Sequence, residues 1–396
     1  MSADGSLATT LTKLACALVD VEPVSTGLGS RPRIAARQAV AARPAELAAA
    51  QVIIDRLAGE LSVPAPQVVA SHSDLAAAEL AIGNRLCLTG LFERLELLRQ
   101  VRDAQFAAAV SHVRAGLPAA VTAAAGDGSP LRCYATGHPC RPVVALVPTC
   151  GMPIGLLRPW ISGLGDRFRV LTWESRGLFP VGGALDEDFD QRRSDIAAQA
   201  GDLLAVLDAF GVSEAHVVGL CGGAAVALAC DLSRVLSLSL WHGDFELGSD
   251  APKTSHQQDT QSLMVMAGRH RQRAAGLHVM LSRPRTLQRM RAELAHHLIY
   301  PYASPELLYR YGRLNGAIMT TDCRPLLTKI DVPTLVASSM ADTTAHPAGS
   351  VAIAARIPAA RLELLPGSDH LSAFDPSPEV IGLARTFLDQ AAGMTR

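Results

Sequence analysis

Two spacings of hydrophobic residues divide the chain. In the first third, Leu47, Ala50, Ile54, Leu57 and Leu61 recur at roughly helical intervals and share one face of a helix. A second helix is expected to run through Leu86, capped by Ser73 or Asp74. Leu91, Leu95, Leu98, Val101, Phe106, Val110 and Val113 form a longer stripe, stopped near Gly116 and Pro118. Residues 41–121 therefore read as an all-helical subdomain. Residues 1–40 define little, with Val24–Ser30 and Pro32 reading as loop. The Gly-, Ser- and Asp-containing stretch 122–130 reads as a linker.

From residue 131 the pattern changes. Short apolar runs closed by Gly or Pro predict strands at Leu131–Ala135, Val143–Val147, Arg169–Trp173, His216–Leu220, Val235–Trp241, Thr334–Ser338 and Arg361–Leu365. Helical patterns lie between or after them, at Ile196–Phe210, Gly223–Leu232, Ala348–Arg356 and Pro378–Gln390. Alternating strands and helices imply an α/β domain over 131–396, a mostly parallel sheet flanked by helices. One long helical insertion, about 245–328, breaks the alternation and is expected to form a lid.

Composition narrows the class. Hydrophobic residues at 49% and charged residues at 18% exclude global disorder. A length of 396 residues suits one large domain plus an additional piece. The net charge of −1 argues against general binding to nucleic acid or to a membrane surface. Eight cysteines occur with no C-x-x-C pair, so neither a zinc site nor a disulfide framework is suggested. The start, Met1 to Lys13, lacks the apolar core of a secretory signal, and the longest apolar run, Val217–Cys230, is too short to span a bilayer. A cytoplasmic protein is the expectation.

The strongest chemical signal is Gly219-Leu-Cys221-Gly222-Gly223, between an apolar strand and a helix of small residues. This is the G-x-nucleophile-x-G elbow, with Cys in place of the usual Ser. The turn is tight enough that side chains at the flanking glycines would collide with strand and helix. The alternative is a buried Cys in a Gly-rich turn. The partners argue against that alternative. Asp342 follows the next-to-last strand and His370 the last, which gives the order nucleophile, acid, base. Cys221 is then the nucleophile, His370 the base, and Asp342 the group that orients His370. Asp244, after Trp241-His-Gly, is a second candidate for the acid. The oxyanion donors are expected to be the Gly222 amide and one from Cys150-Gly151-Met152, with Met152 preferred over Gly151. Cys150 itself reads as a small packed residue.

These residues resemble the α/β-hydrolase superfamily over about 130–396, and Trp173-Glu-Ser-Arg-Gly177 is similar to its loop after the fourth strand. The Cys elbow, the N-terminal helical extension and the long lid further resemble the aminoacyl carrier-protein transferases of nonribosomal peptide pathways, as in syringomycin and coronamic acid biosynthesis. That resemblance implies an acyltransferase that moves an aminoacyl group between phosphopantetheine thioesters, with Cys221 bearing the acyl group. It also implies acyl or peptidyl carrier proteins as partners in trans, with no cofactor or metal held by this chain. The chain has no Asp-Ser-Leu for phosphopantetheine attachment, no Walker loop and no dinucleotide fingerprint. Dienelactone hydrolases have a similar elbow but are much shorter. A thioesterase or lactone hydrolase with the same three residues is therefore the alternative, and a noncatalytic module of the same fold is the third possibility. Between Thr260 and Ala292 there are seven arginines (269, 271, 273, 283, 285, 289 and 291) and no Asp or Glu. Such a patch suits an acidic carrier and a phosphate, or else a helix face neutralised by Asp186-Glu187-Asp188.

Overall fold

A computed structural model describes residues 3–394 except 42, 117 and 359. The chain forms two compact units, Met1–Pro118 with Ala274–Leu308, and Ala119–Arg273 with Tyr309–Arg396. No described helix is long and apolar enough to cross a membrane.

The first unit is mainly helical. Its helices include Ala3–Asp20, Pro44–Leu61, Ala77–Cys87 and Asp103–Gly116. Two short parallel strands, β1 (Arg33–Ala35) and β2 (Gln67–Val69), pair with Ile34 opposite Val68. Leu11, Leu14, Leu18, Ile54, Leu57, Ile82 and Leu86 are fully buried. The stretch expected to be poorly defined is thus largely helix. Leu7, Leu11, Leu14 and Leu18 form its buried stripe, but Ala and Thr flank them, so the contrast with a charged face is missing. Neither Ser73 nor Asp74 caps the next helix. It starts at Ala77, and Glu79 Oε2 accepts the Ala76 amide at 2.9 Å. The stripe from Leu91 to Val113 is broken into Leu95–Leu98 and Asp103–Gly116.

Part of the expected lid belongs to this helical unit. The Ala77 amide donates to the Ser282 carbonyl at 2.7 Å. A Cβ on Gly27 would lie 2.8 Å from Leu307 Cδ1 and 3.2 Å from the Tyr300 ring, so these segments pack closely.

The second unit holds an eight-stranded sheet. Its strands are β3 (Ala120–Ala124), β4 (Pro130–Thr136), β5 (Val143–Val147), β6 (Arg169–Trp173), β7 (Ala215–Leu220), β8 (Val235–Trp241), β9 (Thr334–Ser339) and β10 (Ala360–Leu365). They lie in the order β10-β9-β8-β7-β5-β6-β4-β3. The first six are mutually parallel, and β4 and β3 join antiparallel at one edge. The predicted linker is therefore a hairpin. Its first strand is a largely exposed Ala/Thr edge with little hydrophobic signal, and Gly128 turns the corner at φ 77°.

All six residues of β7 are buried, as a central parallel strand requires. Trp160 and Trp241 meet edge-on at 5.1 Å on one face of the sheet, packed with Phe168, Leu146, Leu220 and Leu335. After β5 the chain adds β6 on one side and then β7 on the other. The topological switch point thus lies between β5 and β7, where clefts open at the carboxyl ends of parallel strands.

Candidate active site

Cys221 stands at that switch point, between the end of β7 and the helix Gly222–Leu228. Its backbone is held at φ 53°, ψ −124°, a conformation costly for a residue with a side chain. The Cys221 amide donates to the Trp241 carbonyl at 2.9 Å, and its carbonyl accepts the Ala224 amide at 3.0 Å. The flanking glycines are steric necessities. A Cβ on Gly219 would lie 2.6 Å from the Gly223 carbonyl oxygen, and one on Gly223 would lie 2.7 Å from both the Val147 and Pro148 oxygens. Gly222, by contrast, would meet nothing closer than 3.7 Å.

Asp342 and His370 arrive from β9 and β10 and meet. His370 Nδ1 is 2.8 Å from Asp342 Oδ2, and both side chains are buried. Asp342 Oδ1 accepts the Thr344 and Ala345 amides, each at 2.8 Å. His370 is set by its own turn. Asp369 caps it through the Leu371 amide at 3.0 Å, and Trp160 Nε1 donates to the Ala373 carbonyl at 2.7 Å. The ring is also electrostatically coupled to Cys221. Burial by itself would lower the His370 pKa. The electrostatic coupling to Cys221 and the bond to Asp342 outweigh it and push the ring up to about 10. Burial likewise opposes ionisation of Asp342, but bonds from His242, His370 and the Ala345 amide hold its carboxyl well below the usual carboxylate range.

Asp244 does not take the acid position. Its Oδ1 accepts Gln257 Nε2 at 2.6 Å, and burial pushes its carboxyl up. The histidine two residues earlier was missed by sequence reasoning. His242 is fully buried, and its Nδ1 lies 3.4 Å from Asp342 Oδ2. The strand order was the available clue: β8 lies between the nucleophile strand β7 and the acid strand β9. Among the described residues, His242, Asp342 and His370 are the one group with donor atoms close enough, within 4.8 Å, to be weighed as metal ligands. Both rings turn Nδ1 toward the same carboxylate oxygen, which is the arrangement of a hydrogen-bonded chain.

The oxyanion loop departs from expectation. The Met152 amide closes a turn on the Thr149 carbonyl at 3.1 Å, and the Gly151 amide donates to Ser175 Oγ at 2.9 Å. Both expected loop donors are therefore already engaged. The Gly222 amide opens its helix, where a first-turn N–H has no intrahelical acceptor. Cys150 is a packed thiol: burial pushes its pKa far up.

No protein-family model matches the sequence. Among solved structures the chain is similar to a hydrolase from Pseudomonas aeruginosa, at 25% identity, with 68% of this chain and 98% of that one covered and a TM-score of 0.52. It is also similar to an enol-lactonase from Burkholderia xenovorans, at 22% identity, covering 68% and 100%, with a TM-score of 0.54. A Rhodococcus esterase matches at 19% identity over 68% and 98%, with a TM-score of 0.51. The protein has the α/β-hydrolase fold. Nearly the whole length of each neighbour is matched, so about a third of this chain has no counterpart in them.

Within the α/β-hydrolase fold, residues 309–320 of the segment between β8 and β9 reach the elbow. Tyr311 packs over Gly151, where a Cβ would lie 2.8 Å from its ring. Asn315 and Ile318 approach Gly222. The loop after β6, similar in sequence to that of the superfamily, has a structural role here. Arg176 is buried between Asp202 and Asp127 and also donates to the Ala198 carbonyl at 2.9 Å.

Proposed function

We propose that the protein is an acyltransferase that moves an aminoacyl group between the phosphopantetheine thioesters of carrier proteins through a thioester on Cys221. The observation that carries this reading is a cysteine at the strained elbow position, aligned with His370 and Asp342. Cys221 Sγ adds to the thioester carbonyl, and the Gly222 amide stabilises the oxyanion. Collapse breaks the bond to the phosphopantetheine sulfur, and the imidazolium of His370 protonates the departing thiol. An incoming carrier thiol returns a proton to His370 and reverses the steps. Asp342 keeps the ring oriented throughout. A thioester on Cys221 is close in energy to the thioesters on either side of it, so the acyl group can move on. An oxyester on Ser would lie lower in energy and favour hydrolysis.

Asn315 supports an acyl group that carries an amine. Its Nδ2 donates to the Tyr311 hydroxyl at 3.2 Å and to Met319 Sδ at 3.5 Å. A thioether only accepts, so the amide orientation is fixed. Oδ1 then lies on the Gly222 side, 3.7 Å from the Cβ position there, with no protein donor among the described residues. A bare acceptor beside the oxyanion amide suits an α-ammonium group. The carriers act in trans and bring the phosphopantetheine with them. The second reading is a thioesterase or lactone hydrolase, favoured by structural neighbours named as hydrolase, lactonase and esterase.

Intact-mass measurement after mixing with an aminoacylated carrier protein tests the proposal. The expected result is an adduct of the aminoacyl mass, absent in Cys221→Ala and discharged by a second carrier. Asn315→Leu should reduce the preference for aminoacyl over des-amino acyl carriers by roughly tenfold. Prompt release of free acid, without transfer, would establish the hydrolase instead.

A further inference from the structure

Three elements converge on Asp342, and the mechanism above uses two of them. The third is the end of β8. His242 follows that strand at φ 49°, a conformation uncommon for any residue other than glycine. Its amide donates to the Ala337 carbonyl at 2.8 Å, which fixes the backbone there. The outcome of this local cost is a fully buried imidazole directed at the acid. Its Nδ1 faces Asp342 Oδ2 at 3.4 Å, the same oxygen that His370 Nδ1 meets at 2.8 Å. The two rings lie edge to face, 5.8 Å apart. On its far side, His242 Nε2 is 3.1 Å from Ser372 Oγ. Ser372 sits in the same turn as His370.

Counting protons shows what this arrangement does. Ser372 has one hydroxyl proton, and the Asp369 carbonyl 2.7 Å away can only accept. When the hydroxyl serves that carbonyl, His242 Nε2 must be the donor to Ser372 Oγ. Neutral His242 then presents a lone pair to Asp342. When the hydroxyl turns to Nε2 instead, the His242 proton sits on Nδ1 and gives Asp342 a second imidazole donor. Ser339 Oγ, 3.2 Å from Ser372 Oγ, can stabilise either orientation. A second proton on His242 also makes it a donor to Asp342, whichever way Ser372 points.

The geometry points to His242 as a positioning residue that shares the Asp342 carboxylate with His370 and thereby sets how strongly His370 holds its proton against Cys221. The charged and titratable groups around it are Asp342 and His370, with Asp369 in the base turn, Cys221 beyond His370, and the buried Asp244 two residues along, which also acts on His370. Burial, together with the charge of His370, lowers the pKa of the His242 ring despite the bond to Asp342. His370 therefore takes the first proton, and His242 takes one only as the solution becomes acidic. At that point two imidazolium rings compete for one carboxylate oxygen, and the thiolate–imidazolium pair weakens.

The inference builds on the His370–Asp342 arrangement in the proposed function, but its test needs no acyl substrate. The rate of Cys221 alkylation by iodoacetamide is measured across pH on the intact protein and followed on the Cys221 peptide by mass spectrometry. In His242→Phe the competing donor is gone, and the acid limb should move to lower pH by about half a unit or more. His242→Asn keeps an N–H near the Nδ1 position at every pH and tolerates positive φ, so its limb should lie at or above the wild-type value. Ser372→Ala leaves the His242 proton free to reside on Nδ1, and the limb should move to higher pH. An unmoved limb in His242→Phe, or equal shifts in the Phe and Asn variants, would overturn the inference. If His242→Phe does not fold, an unmoved limb in Ser372→Ala does the same. Loss of acyl transfer with the alkylation shifts intact would instead count against the transferase reading alone.

Discussion

Backbone position separates Cys221 from the other thiols. Burial pushes Cys133, Cys230 and Cys323 up to about 12, so they persist as packed, protonated side chains. Cys221 is partly exposed on a strained turn and faces His370. A pH dependence belongs to this scale. The His370 pKa is raised in the folded protein from its ordinary 6.5 to about 10. The stability it contributes is therefore complete below about pH 6.5 and is lost as pH rises through about 10. The melting temperature of the wild type should fall more steeply between pH 7 and pH 10 than that of His370→Gln. Parallel curves would show that the ring is not held as an imidazolium. Cys221, Asp342 and His370 were legible in the sequence because each lies within a few residues of the carboxyl end of a strand. His242 also follows a strand, but no motif marks it.

At the scale of the element, the elbow works through backbone proximity. The Gly223 Cα faces two carbonyl oxygens at the end of β5, and neither can move without disturbing the sheet. Gly223→Ala should cost about 3 kcal/mol or more, whereas Gly222→Ala should cost under about 1 kcal/mol. Urea unfolding of the two variants checks this, and equal losses would refute the steric account. The elements least legible in the sequence lacked amphipathic contrast. The helix Ala3–Asp20 has Ala and Thr where a charged face would announce it, and β3 is an Ala-rich edge that reads as linker. The central strands were plain because burial on both faces makes them continuously apolar, as in β7.

For the molecule as a whole, the insertion between β8 and β9 is divided between two units, with 274–308 packed into the helical one. The arginines of 260–292 also divide. Arg271 pairs with Asp190 and stacks on Tyr309, so part of that patch is neutralised. Arg283 and Arg285 are exposed and make no ion pair among the described residues, while the side chain of Arg289 lies outside them. Exposed unpaired arginines favour a partner of opposite charge. Arg283→Glu with Arg285→Glu should slow transfer between carrier proteins and flatten its salt dependence. Transfer from a small pantetheine thioester should be unchanged. Equal losses with both donors would remove the docking role.

The sequence by itself determined the strand–helix alternation, the elbow and the order of Cys221, Asp342 and His370. Those features depend on local sterics and on residues adjacent to strand ends. Tertiary structure alone decided that Asp342 rather than Asp244 meets His370, that the Met152 and Gly151 amides are already engaged, the latter by Ser175 from the loop after β6, and that His242 shares the acid. Each of those outcomes depends on which strands lie side by side, and strand order is set by long-range packing of buried faces that no local pattern encodes.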